Sequence, residues 1–264
     1  MPDKRKVLIT GGAGLIGSIM IDRLGGKYDF SSLDLRPVED LPSTIANLDD
    51  LEAITPAFEG IDTVVHLAAD RSPAGSWKSI LQNNFIATYN VFEASKRAGV
   101  KRVIFASSNH AEGGFYLDPP WKYVHDGNFE LLEQDNYELV TEDHMVRPDS
   151  YYGVAKAYGE ALGSYYSDFH GLSSFHLRIG WVIDGDDPTF SAYALSLWLS
   201  YRDTAQIIDL CIGAPESHRY DIFNATSDNT WKIFSIDHVK EALGYRPEDR
   251  AGSDFTLREY RRRD

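Results

Sequence analysis

Three glycines, Gly11, Gly14 and Gly17, stand between the apolar run Lys6-Val-Leu-Ile-Thr10 and a segment whose apolar residues Ile16, Met20 and Leu24 recur at helical spacing. A short, continuous apolar run that stops at glycine reads as a buried parallel strand. Strand, glycine turn and helix in that order leave few folds open. Each glycine answers a separate demand: Gly11 permits a tight turn, Gly14 lets a pyrophosphate approach the backbone, and Gly17 allows helix and sheet to pack closely. The first-turn amides of the helix, at Leu15, Ile16 and Gly17, would then meet an anion with the helix dipole behind them. A dinucleotide is the expected ligand, with an ordinary glycine-rich turn as the alternative.

The rest of the chain repeats the alternation. Further strands are expected at 30–35, 63–68, 102–107, 175–179 and 220–224, with helices between them. One helix carries Leu81, Phe85, Tyr89 and Phe92 on a face. Another, over 151–170, carries Val154, Tyr158, Ala161, Tyr165 and Phe169 and ends at Gly171. Later helices are expected near 194–201, 206–212 and 237–243. Alternating strands and helices imply right-handed crossovers, hence an α/β fold with a Rossmann-type doubly wound parallel sheet. Residues 1–180 read as the dinucleotide-binding domain and 181–264 as a small substrate-binding portion packed on it. Residues 113–149, with Gly113-Gly114, Pro119-Pro120 and no sustained period, read as a long surface excursion. The Arg261-Arg262-Arg263 tail reads as frayed and solvated.

Charge and cysteine content exclude several functions. The 264 residues hold 26 Lys and Arg against 40 Asp and Glu, a formal charge of −14 that repels nucleic acid and anionic membrane surfaces. A single cysteine, Cys211, excludes an intrachain disulfide and a multi-cysteine metal site. The eight histidines show no His-x-x-x-His spacing, so no metal is expected. The first apolar run is too short for a signal-peptide core, and no stretch approaches the ~18 apolar residues of a membrane span. The expected place of action is the cytoplasm.

Asp34 closes the second strand, where a carboxylate accepts hydrogen bonds from ribose hydroxyls and repels a 2′-phosphate. NAD is therefore favoured over NADP, with Arg36 softening the preference; a simple turn acid is the alternative. Asn47 and Leu48 are suited to flank the adenine, and Leu67, Ala68 and Ala69 to lie beside the phosphates. Tyr152 and Lys156 fall four apart on a helix, hence on one face. A free phenol is a poor base at neutral pH, and a nearby ammonium favours its ionised form. Ser108 ends an earlier strand at the carboxyl edge, where such sheets bind ligands, and there it can hydrogen-bond a reacting oxygen.

Taken together, these segments resemble the extended short-chain dehydrogenase/reductase superfamily, also called the NAD-dependent epimerase/dehydratase family. The glycine motif, Asp34, His66-Leu-Ala-Ala69, Asn84-Phe-Ile-Ala-Thr-Tyr-Asn90, the Ser107-Ser108 strand end and the Tyr152/Lys156 pair occur in the family's order across residues 6–180. Ala87 stands where the family usually has glycine. The resemblance implies that Ser108 and Tyr152 hold the substrate oxygen, that Tyr152 moves the proton, and that Lys156 anchors the nicotinamide ribose. It also puts Asn84 on the cofactor side.

The segment Phe105-Ala-Ser-Ser-Asn-His110 and the strand Leu177-Arg-Ile-Gly180 are similar to uronate dehydrogenases and archaeal-type NAD-dependent glucose-6-phosphate dehydrogenases. That likeness implies substrate contacts from Asn109, His110 and Ser72, and a forked donor at Arg178 for a carboxylate or phosphate. His110 has the alternative of a structural loop histidine, and Arg178 that of pairing with a core-edge acid. The implied activity is NAD-dependent oxidation of the anomeric carbon of a small acidic aldose derivative, a hexuronate or glucose 6-phosphate, to its lactone. A nucleotide-sugar epimerase or dehydratase and a noncatalytic NAD-binding sensor are the alternatives. The expected partner is a small sugar, and the likeness leaves room for a homodimer.

Overall fold

The computed structural model describes residues 4–260. From the N-terminus the elements run β1 (Lys6–Thr10), α1 (Leu15–Leu24), β2 (Asp29–Asp34), β3 (Ser43–Ile45), α2 (Leu51–Ile54) and β4 (Thr63–His66). Next comes α3 (Trp77–Ile80), continued through a π-helical turn, Leu81–Ile86, into α4 (Ala87–Ala98). Then follow β5 (Arg102–Ser108), α5 (Trp121–Asp126), α6 (Tyr151–His170), β6 (Ser173–Ile179), α7 (Ala192–Leu197), α8 (Tyr201–Gly213), β7 (Tyr220–Ala225) and α9 (Asp237–Leu243). The strands form one sheet in the order β3-β2-β1-β4-β5-β6-β7, and every pairing in it is parallel. The chain winds outward from β1 to β3 and then returns to β4 on the other side. The resulting crevice, at the carboxyl ends of β1 and β4, is where a doubly wound sheet binds ligands.

Side chains alternate across the sheet and build two cores. Val7, Ile9, Ile104, Phe175 and Leu177 pack toward α1 and α8. Leu8, Val64, Val103, Val91 and Phe92 pack toward α4, with Tyr166 of α6. A third cluster joins Val124, Val140, Trp121 and Phe129 of the 113–149 stretch to Leu197, Trp231 and Phe234. That stretch is therefore more than a surface excursion. Its aromatic residues give it a core shared with the C-terminal part, and Val140 bridges to Phe234.

Two other expectations, for the faces of two helices, change on contact with the structure. Residues 181–264 supply the edge strand β7 of the sheet and the helix α8 that covers one face. The short strand β3 lacks an apolar run and escapes pattern reading. The expected face of Leu81, Phe85, Tyr89 and Phe92 is split: within α4, Phe92 is buried while Tyr89 is exposed. In α6 the apolar stripe points outward, with Val154, Tyr165 and Phe169 exposed and Gly159, Lys156, Glu160 and Gly163 facing the sheet. The cause is close approach: a Cβ on Gly163 would sit 2.2 Å from the His176 ring. The expectation for Arg261–263 lies outside the described residues.

Candidate active site

The glycine loop has the shape its sequence implies. Gly11 holds a φ of +78°, and a Cβ there would lie 2.8 Å from the Ala68 amide nitrogen. At Gly17 a Cβ would come within 2.4 Å of the Gly12 carbonyl oxygen; Gly14 is the N-cap of α1 and brings no side-chain acceptor. The first-turn amides of Leu15, Ile16 and Gly17 are thus left for an anionic ligand. This cradle fits the pyrophosphate of a dinucleotide. The Leu67 and Ala68 amides both donate to the Thr10 carbonyl, at 3.0 and 3.1 Å, which sets the end of β4 beside the loop with Ala69 next in line.

Asp34 sits at the end of β2 and stiffens the same loop. Its carboxylate accepts from the amides of Ala13 at 3.0 Å, Leu35 at 2.6 Å and Arg36 at 3.2 Å. A carboxylate has about four lone-pair positions, so capacity for a ribose hydroxyl remains. An open cleft lined by Gly12, Ala13, Ser18, Arg36 and Val38 runs alongside. Leu48 is buried, its carbonyl accepting from the Asn90 side chain at 2.8 Å, and Asn47 beside it is exposed. The Asn84 side-chain amide pairs reciprocally with the backbone of Asp70 at 2.9 Å both ways. It shapes the loop that carries Ser72, whose own amide donates to Asp70 at 3.0 Å.

Across the crevice, Ser150 caps α6 by accepting from the Gly153 amide at 3.1 Å. Gly153 lies so near His110, just past β5, that a Cβ would sit 2.2 Å from the His110 carbonyl oxygen. This contact brings Tyr152 to the end of β5, next to Ser108. The Tyr152 ring meets the His110 ring edge-on, with centroids 5.5 Å apart. Burial pushes the Tyr152 phenol up to about 12, opposed by the Ser108 hydroxyl and the Arg71 guanidinium. Lys156 is buried one turn on, its ammonium donating to the Ala106 carbonyl at 2.6 Å and lying 5.3 Å from the Tyr152 ring centre. Burial pulls it down to about 7. The Ser108 hydroxyl and the Arg71 guanidinium lower the phenol, and the Lys156 ammonium near its ring is held by the Ala106 carbonyl.

His110 and Asp149 form a pair, Nδ1 to Oδ2 at 2.7 Å. Asp149 also accepts from the hydroxyls of Tyr116 at 3.0 Å and Ser150 at 2.8 Å. Burial alone would raise its carboxyl, but these donors, His110 foremost, outweigh it and hold it below the usual range. With Nδ1 engaged, Nε2 is the nitrogen left for a ligand. Asn109 is buried and donates to the Tyr193 hydroxyl at 3.2 Å. Arg178 is the main departure. Its Nε and Nη2 are bound to Glu160 at 3.0 and 2.9 Å, Nη1 lies 2.6 Å from Glu112, and the side chain is buried. The expected anion-holding fork is thus closed by the chain's own acids, which at this depth must pair a guanidinium. Sequence reading missed Glu112, Asp149 and Tyr193. Asp149 carried a faint signal, standing next to the Ser150 cap; Tyr193 carried none.

Among the described residues no group of His, Cys, Asp and Glu is arranged to hold a metal ion, and no helix is long and apolar enough to cross a membrane.

Residues 7–183 match the model of the NAD dependent epimerase/dehydratase family. The chain belongs to that family. Within it, the chain is 36% identical to the L-arabinose 1-dehydrogenase (NAD(P)(+)) of Haloferax volcanii over 256 residues, 94% of this chain and 98% of that one. It is also 36% identical to the NAD-dependent glucose-6-phosphate dehydrogenase of the same organism, over 95% of each chain. Its fold superposes on the uronate dehydrogenase of Agrobacterium tumefaciens, in a mutant complexed with NAD, with a TM-score of 0.78 and 29% identity, over 94% of this chain and 86% of that one. Like those relatives, this family member is an NAD-dependent oxidoreductase of the epimerase/dehydratase type.

Proposed function

We propose that this chain oxidises the anomeric carbon of a small free aldose to the corresponding lactone, with NAD as electron acceptor. The observation that carries the proposal is the convergence of Tyr152, Ser108 and the His110–Asp149 pair at the carboxyl end of β5, across the crevice from the glycine loop. Near end-to-end correspondence with dehydrogenases of free or simply phosphorylated sugars supports it over a nucleotide-sugar reading.

NAD, when bound, supplies the acceptor for the hydrogen that leaves C1 with its electron pair. The Leu15, Ile16 and Gly17 amides would hold its pyrophosphate, Asp34 its adenosine ribose and Lys156 its nicotinamide ribose. Tyr152 as phenolate takes the proton of the C1 hydroxyl, and the Ser108 hydroxyl steadies the oxygen as it becomes a carbonyl. His110, oriented by Asp149, and Asn109, oriented by Tyr193, face the remaining hydroxyls, with Ser72 at the opposite wall. Fixing the two reacting carbons against each other contributes most of the acceleration, and placement of these dipoles comes second.

Replacing Tyr152 with Phe removes the base and leaves the cofactor loop untouched. We expect kcat to fall by about 10²–10⁴-fold with NAD affinity nearly intact, read by NADH absorbance and calorimetry; unchanged turnover would reject the assignment. Net NADH formation also separates this reaction from epimerisation, which returns its cofactor each cycle. We place the activity in the cytoplasm, and infer a homodimer formed through the exposed apolar faces of α4 and α6.

A further inference from the structure

The far side of Ser108 lacks a spare positive charge. Ser107 and Arg178 are register partners on β5 and β6, one residue from Ser108, and their side chains lie on the α6 face with Glu160. Glu160 binds one edge of the guanidinium with both carboxylate oxygens. Glu112, two residues past His110 and fully buried, stands 2.6 Å from the remaining nitrogen, Nη1. The contact is an ion pair without good alignment. Neither Glu112 oxygen nor Nη1 has an aligned hydrogen-bond partner among the described residues. Glu142 is a third carboxyl acting on the same cluster.

Around Tyr152 the balance is similar. Arg71 is exposed and favours the phenolate, whereas Asp70 and Asp149 oppose it; Lys156 is bound to a carbonyl.

We propose that Glu112 sets the substrate class: by closing the last edge of the Arg178 guanidinium, it reserves the site for uncharged aldoses and turns away sugars bearing a carboxylate or phosphate. This rests on the reading of the chain as an anomeric-carbon dehydrogenase. Ionised, Glu112 leaves one guanidinium between two carboxylates. Protonated, it leaves Arg178 balanced by Glu160. In both states an incoming anion gives up its water and finds no open edge on the Arg178 guanidinium, and nearby like charge adds to the penalty.

The test is a comparison of kcat/KM with NAD for L-arabinose, D-xylose and D-galactose against D-glucuronate, D-galacturonate and glucose 6-phosphate. The best neutral sugar is expected to exceed every acidic one by about tenfold or more. An acidic sugar that equals or beats it overturns the proposal. In Glu112→Gln and Glu112→Val the acidic-to-neutral ratio is expected to rise by about tenfold, while Arg71→Ala leaves the ratio where it was. A ratio unmoved in either folded Glu112 variant, or one controlled by Arg71, overturns it as well. Should the Glu112 variants not fold, the wild-type ranking alone decides. If no sugar reduces NAD, the dehydrogenase reading fails by itself. Thermal stabilisation of the NAD-loaded protein by each sugar then ranks neutral against acidic ligands without turnover, and stronger stabilisation by an acidic sugar overturns the proposal.

Discussion

A phenol works as a base only when its surroundings bring its ionisation within reach of the working pH. Burial drives Tyr152 the other way, to about 12, and the Ser108 hydroxyl leads the groups that draw it back. Turnover should therefore climb as pH rises from neutral into the alkaline range, since each step upward enlarges the phenolate fraction. Removing a group that lowers the phenol raises it further. In Ser108→Ala the rising limb of the pH–kcat/KM profile should move to higher pH, with a loss of about 10–100-fold at fixed pH. A profile that keeps its position would show that Ser108 has no part in tuning the base. At this scale the sequence was legible where chemistry demands a residue type at a fixed spacing, as at Gly11, Gly17, Tyr152 and Lys156. It was not legible where partners come from remote segments: Glu112 and Glu160 meet Arg178 from a turn and a helix, and no spacing announces such a cluster.

Between elements, the helix α6 decides most of the site. Its length and its end at Gly171 could be read from periodicity and glycine rules, but its orientation could not. Apolar periodicity marks the stripe of Val154, Tyr165 and Phe169, yet close packing against Phe105 and His176 favours the glycine face and takes Lys156 and Glu160 inside. A Cβ at Gly163 has no room beside a fully buried ring, so Gly163→Val should cost about 1–3 kcal/mol or more, measured by denaturant unfolding; an unchanged midpoint would mean that the helix is less closely seated. The displaced stripe leaves Tyr165 49% and Phe169 72% exposed. Large exposed aromatics at helical spacing mark an association face. Changing Phe169 and Tyr165 together to Asp and Ser should shift the sedimentation coefficient from dimer to monomer; a wild-type protein that already sediments as a monomer contradicts the dimer.

For the whole molecule, the parallel sheet and its switch point followed from alternation of buried strands and helices, and the seven-stranded order bears that out. The partition at residue 180 was less legible, because β7 and α8 return from the C-terminal part to complete the sheet. The 113–149 stretch also hid its core: its aromatics have no period and find their partners only in three dimensions. The architecture puts a cofactor loop, a phenol and a set of oriented polar groups around one crevice, and the most direct test follows the hydrogen that leaves the sugar. An aldose deuterated at C1 should deliver its label to NAD, giving NADD and an unlabelled lactone in equal amounts, in the wild type but scarcely in Tyr152→Phe. Label retained in a rearranged sugar, with no reduced cofactor accumulating, would contradict anomeric oxidation.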